Sequence, residues 1–144
     1  MRGIQYALAM SLLTPLIAVC GPRLVPGGPD LIVAKHKIHT APGNPGYYLK
    51  FTVKNIGKKP SRPTTAYINA INPSPAPGKN EIRIQRSVNV PALNPGAISG
   101  SLQTKFDIRQ LRAERVSMIR IIVDPKNVVH EANESNNTTK WSWP

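Results

Sequence analysis

Residues 116–139 read VSMIRIIVDPKNVVHEANESNNTT, and this stretch decides the fold. An apolar run from Val116 to Val123 stops at Asp124-Pro125. A polar loop rich in Asn and Glu follows, passing into Thr138-Thr139 ahead of Trp141 and Trp143. The loop is too polar for a strand and too regular in its side-chain types for a flexible linker. It reads as a β-hairpin whose connection is held by side-chain hydrogen bonds. Asn and Asp side chains bond nearby backbone groups and tolerate left-handed conformations. Glu carboxylates accept the N–H groups that a hairpin end leaves free. Asp124, Glu131, Asn133, Glu134, Asn136 and Asn137 are therefore expected to form a structural clasp. The competing reading of the same oxygens is a calcium site built on Asp124, Glu131 and Glu134. The spacing is not that of an EF-hand loop, and the clasp is preferred.

Working outward, the chain breaks into short β-segments. Tyr48–Asn55 is the cleanest, with Leu49, Phe51 and Val53 on one face and Lys50, Thr52 and Lys54 on the other. Asp30 to Ile38 alternates imperfectly, which predicts a bulge or an edge position. Further strands are expected over Thr64–Asn72, Glu81–Val90 and Ala97–Ile108, with one helical turn over Gln110–Arg115. Fifteen prolines and ten glycines punctuate them and exclude long helices. Six or seven short strands at regular spacing, without an internal repeat, predict an all-β sandwich of about seven antiparallel strands.

Residues 1–20, MRGIQYALAMSLLTPLIAVC, carry one charge, Arg2, and a short apolar run. The run is too short to span a bilayer comfortably and reads as a secretory signal. Cys20 either receives lipid after cleavage before it or leaves with the signal. The segment Leu16–Gly21 resembles a lipoprotein signal, departing from that pattern at Val19. Residues 21–29, GPRLVPGGP, read as an extended leader, and 30–144 as the folded domain. Location outside the cytoplasm follows, with attachment to a membrane through Cys20 as one form of it. With one cysteine, no intramolecular disulfide is available.

Four motifs recur in order: DLIV at 30–33, FTVKNIGKKPS at 51–61, ALNPGAISGS at 92–101 and IIVDPKNVVHEANESNNT at 121–138. Together they resemble the CARDB family, a module named for cell-adhesion-related proteins of bacteria and archaea. Val53, Asn55 and Gly57 match its Val-x-Asn-x-Gly strand end, and Leu93 and Gly96 its Leu-x-x-Gly turn. The most specific match is Val123-Asp124-Pro125 followed by Val129, Glu131, Asn133, Glu134, Asn136 and Asn137. The resemblance implies an immunoglobulin-like sandwich, an extracytoplasmic module and no enzymatic activity.

Catalytic patterns are missing from the sequence. No G-x-S-x-G, H-E-x-x-H or P-loop occurs. His36 and His39, three apart on a strand, face opposite sides and cannot share a metal. No cofactor is expected. The net charge of +12 favours an anionic partner. Lys50, Lys54, Lys58, Lys59 and Arg62 form the candidate basic face. The expected role is an exported, non-enzymatic binding, adhesion or assembly module of the cell envelope. Its partner is a protein or an anionic envelope polymer. The alternative is a charge-driven binder of polysaccharide, lipid headgroups or nucleic acid, the last disfavoured by the export signal.

Overall fold

The structure is a computed structural model and describes residues 24–40 and 46–143. The signal segment, Cys20 and most of the turn at 41–46 lie outside the described residues. Seven strands form: β1 (Leu31–Thr40), β2 (Gly46–Asn55), β3 (Thr64–Ile71), β4 (Ile82–Val90), β5 (Leu102–Asp107), β6 (Met118–Val123) and β7 (Thr138–Ser142). One short helix, α1 (Ile108–Ala113), follows β5, and Asp107 caps it by accepting the Arg109 N–H at 2.7 Å.

The strands make two sheets, β1-β2-β5 and β4-β3-β6-β7, with every pairing antiparallel. This is the sandwich expected from the strand spacing, with an immunoglobulin-like arrangement. The hairpin read from 116–139 is β6-loop-β7.

Alternation places the core. Leu49, Phe51 and Val53 of β2 face Ala66, Ile68 and Ala70 of β3 and Ile119, Ile121 and Val123 of β6, all buried. Each large apolar side chain contributes on the order of 2 kcal/mol by leaving water. His36 on β1 stacks on Trp141 on β7 at 4.0 Å, which closes one open side between the sheets. Tyr47 meets Trp143 edge-on at 4.8 Å.

The irregularity expected in the first strand is a bulge. Val33 lies opposite Val53, but Lys35 lies opposite Thr52, so Ala34 is the extra residue. Before it, Leu31 and Val33 point into the sandwich. After it the phase is reversed, so Lys35 and Lys37 point out and the chain's two-residue period continues on the other face. β1 is also an edge strand.

Candidate functional site

One end of the sandwich gathers the leader, the β2–β3 loop, the β4–β5 loop and the β6–β7 loop. Asp124 starts the last of these. It takes a left-handed backbone, φ 48°, and is 1% exposed. Its Oδ1 accepts the Val128 N–H at 3.1 Å and the Thr64 hydroxyl, and its Oδ2 accepts the Val129 N–H at 2.7 Å. The Val129 side chain then enters the core. A single carboxylate thus folds the first half of the loop back on itself and ties it to β3.

Glu131 organises the second half and is fully buried. Its Oε2 accepts the Leu31 N–H and its Oε1 accepts Asn137 Nδ2 at 2.9 Å. Its own N–H donates to Glu134 Oε1 at 2.9 Å, and its carbonyl accepts the Val25 N–H at 3.0 Å. Burial pushes its carboxyl up to about 7, with the charges of Glu134 and Asp124 adding to this; the Leu31 N–H and Asn137 amide oppose it. Asn136 Nδ2 reaches Asp30 Oδ1 at 2.8 Å. Asn133 serves a local turn, its Oδ1 accepting from the N–H and hydroxyl of Ser135.

Glu134 Oε2, Asn136 Oδ1 and Asn137 Oδ1 are buried without a protein donor. Of the three residues read as a calcium alternative, Asp124 and Glu131 have both carboxylate oxygens occupied by protein donors. Among the described residues no group of three or more His, Cys, Asp or Glu side chains is placed to hold a metal ion.

Asn55 belongs to the same network and was read only as the end of a strand. It is fully buried. Its Oδ1 accepts from the N–H groups of Asp30 and Gly57, and its Nδ2 donates to the carbonyls of Lys59 and Leu93, all within 3.0 Å. One side chain therefore joins three loops. Gly57 is required beside it, because a Cβ there would lie 2.3 Å from the Gly28 carbonyl oxygen and 2.6 Å from the Asp30 nitrogen. The Val-x-Asn-x-Gly spacing was the signal for both residues.

The leader is consequently part of the domain from Val25 onward. Besides the bond to Glu131, Gly28 O accepts the Lys58 N–H at 3.0 Å and Pro29 O accepts the Ala132 N–H at 2.8 Å.

The expected basic face divides in two. Lys50 and Lys54 lie on the outer face of β1-β2-β5, while Lys58, Lys59 and Arg62 stand exposed in the β2–β3 loop at the clasp end. The outer face is more basic than the sequence suggested. The bulge brings Lys35 opposite Thr52 and Lys37 opposite Lys50, and Lys105 of β5 lies opposite Tyr48. Five lysines share this face, and the only carboxylate of these three strands, Asp107, is engaged in capping α1. A groove of about 600 Å³ opens beside the bulge, lined by Lys35, His36, Lys37, Lys50, Thr52 and Ser101 among others. The Thr52 hydroxyl within it is buried and has no protein partner. Tyr48 is covered by the His39 ring at 5.6 Å and by Lys105 Nζ at 5.7 Å.

A model of the CARDB family matches residues 28–140. The chain belongs to the CARDB family. CARDB is a cell-adhesion-related bacterial domain and a non-catalytic module. Among solved structures, the CARDB domain of the PF1109 protein from Pyrococcus furiosus is similar in two forms. The crystal structure, in complex with di-metal ions, is 22% identical with a TM-score of 0.52, covering 83% of this chain and 90% of that one. The solution structure is 23% identical with a TM-score of 0.50, covering 80% and 93%. These likenesses establish the CARDB fold for this chain. No curated protein gives a significant match.

Proposed function

We propose that this CARDB chain is an exported, non-enzymatic binding module of the cell envelope, and that it docks on an anionic envelope polymer through the outer face of β1-β2-β5. The observation that carries this reading is the set of Lys35, Lys37, Lys50, Lys54 and Lys105 on one three-stranded face without an opposing carboxylate. Lys37 and Lys50 sit directly opposite each other, an arrangement that costs stability on its own and is relieved by a bound anion. The groove beside the bulge offers a recess for one acidic group, lined by Lys35, Lys37 and Lys50.

Two features favour this face over other modes of attachment. The β1 edge is bulged and carries lysines, devices that block strand addition. Tyr48, the aromatic ring of the face, is already covered on the protein, so base stacking lacks a platform there.

The test is binding of the lipid-free chain to an acidic polysaccharide across a salt series. Charge-driven docking weakens steeply as the screening length falls to about 3 Å near 1 M salt. Binding that is indifferent to salt, or to reversal of Lys35 and Lys50, would overturn the reading.

A further inference from the structure

The clasp end has a surface chemistry of its own. Four of the seven carboxylates of the chain lie there: Asp30, Asp124, Glu131 and Glu134. Asp124 and Glu131 are buried and Asp30 and Glu134 half-buried, each engaged with loop N–H groups or amides. Among the described residues, the exposed charged side chains of this end are Lys58, Lys59, Arg62 and Lys126. Burial draws the Asp124 and Glu131 carboxylates inward, and the exposed charged side chains of this end are cationic.

The same end carries the exposed apolar side chains. Of five large ones on the described residues, four belong to its segments: Leu24, Ile56, Ile98 and Val128, each between 47% and 57% exposed. The fifth, Ile82, is on β4 toward the opposite end. Single exposed apolar residues are ordinary on protein surfaces; their collection in segments at one end that also carry exposed cations is not. The opposite end differs in exposing carboxylates, Glu81 and Asp107, among its cations Lys79, Arg109, Arg112 and Arg115.

The chain also enters the domain at this end. Leu24 is four residues beyond Cys20, a reach of at most about 14 Å even when extended. The apolar run from Tyr6 to Val19 comes immediately before that.

We propose that the clasp end rests on a lipid bilayer with anionic headgroups. Leu24, Ile56 and Val128 enter the boundary between headgroups and acyl chains, Ile98 lies at the corner beside Lys54, and Lys58, Lys59, Arg62 and Lys126 meet the lipid phosphates. Amphipathic surfaces of this composition bind by the sum of apolar burial and attraction to anionic lipid. Docked this way, the lysine face of β1-β2-β5 stands beside the membrane and stays open to an envelope polymer. The proposal does not depend on that polymer, since its test contains none.

The experiment uses the full chain carrying Cys20→Ser, with a single environment-sensitive fluorophore at Val128→Cys or, on the opposite end, at Lys79→Cys. Vesicles of phosphatidylcholine, with or without phosphatidylglycerol, are added. The label at 128 is expected to brighten with the anionic vesicles and to be quenched by lipids brominated near the headgroup; the label at 79 does neither. Because residues 6–19 are themselves apolar, attachment alone is not the readout. Lys58→Glu, Lys59→Glu and Lys126→Glu together should lower the docking constant reported by the label at 128 on the order of 100-fold, from about 1 kcal/mol per cation near an anionic surface. Their far-ultraviolet spectrum and Tm check that the fold is kept. Equal responses at 128 and 79, or an unchanged response in the triple variant, would overturn the proposal. So would loss of the response on reversing Lys35, Lys37 and Lys50 instead. A response that tracks protein concentration without vesicles would assign the surface to a second copy of the chain and overturn it as well.

Discussion

The carboxylate of Glu131 accepts the backbone N–H of Leu31, one hundred residues away in sequence. This contact joins the polar loop between β6 and β7 to the first residue of β1. It explains why a loop so polar is held against the core: its carboxylates and amides serve as hydrogen-bond partners for backbone that no strand pairs. The clasp and the lysine face are separate in the structure, and variants in each test them separately.

Glu131→Ala leaves the Leu31 N–H and the Asn137 amide buried without partners. A loss of about 2–4 kcal/mol is expected. In a thermal melt this lowers Tm on the order of 10 °C or more. Polysaccharide binding measured below the melt is expected to stay the same. Asn136→Ala, which removes the half-buried bond to Asp30, costs about 1 kcal/mol.

The pH dependence has a definite sign. The Glu131 carboxyl is raised from 4.5 to about 7 in the folded protein, so the folded state holds a proton that the unfolded state releases. The resulting stabilisation is complete below about pH 4.5 and is lost as pH rises through about 7. Glu131→Gln should abolish this slope, making the variant the more stable of the two above pH 7. Asn137 can accommodate the change by turning its amide, because its Oδ1 has no donor in the native arrangement. Urea titrations at a series of pH values measure the effect; a wild-type stability flat across that window would contradict it.

Gly57→Ala places a methyl group against the Gly28 carbonyl and the Asp30 nitrogen. Both contacts are backbone, so no rotamer relieves them. The leader must lift, which breaks the Lys58–Gly28 bond and exposes residues 24–30. We expect faster proteolysis within that segment and a loss of roughly 2 kcal/mol or more.

Lys37→Glu should separate stability from binding. It replaces a like-charge pair across β1 and β2 with an opposite-charge pair to Lys50. Stability rises by about 0.2–1 kcal/mol, while affinity for the acidic polymer falls. A rise in Tm with unchanged affinity would place the polymer on another surface.

Much of this was legible from residues. The triplet Leu49, Phe51 and Val53 announced a central strand, because burial on one face demands a period of two. Asp124-Pro125 announced the end of β6, since Pro cannot donate to a ladder. The polar clasp was legible as a hydrogen-bonding loop because Asn, Asp and Glu side chains bond nearby backbone. Its partners were not. That Glu131 reaches Leu31 rather than a backbone group of its own hairpin depends on which loops the two sheets bring to one end.

Lys35 and Lys37 mark the boundary most clearly. Counted from Leu31 by twos, they belong to the buried face, and the flawed alternation announced only that some irregularity was present. One extra residue at Ala34 turns them outward beside Lys50. A bulge is a property of the pairing between two strands, so the face a side chain takes after it is settled only when β2 lies alongside. The sequence by itself determined the sandwich, its turns and its family, because those follow from local periodicity and from residues that bond their own neighbourhood. Tertiary structure alone decided which lysines share a face, which carboxylates are withdrawn from the surface and which loops meet, because these depend on contacts between segments far apart in the chain.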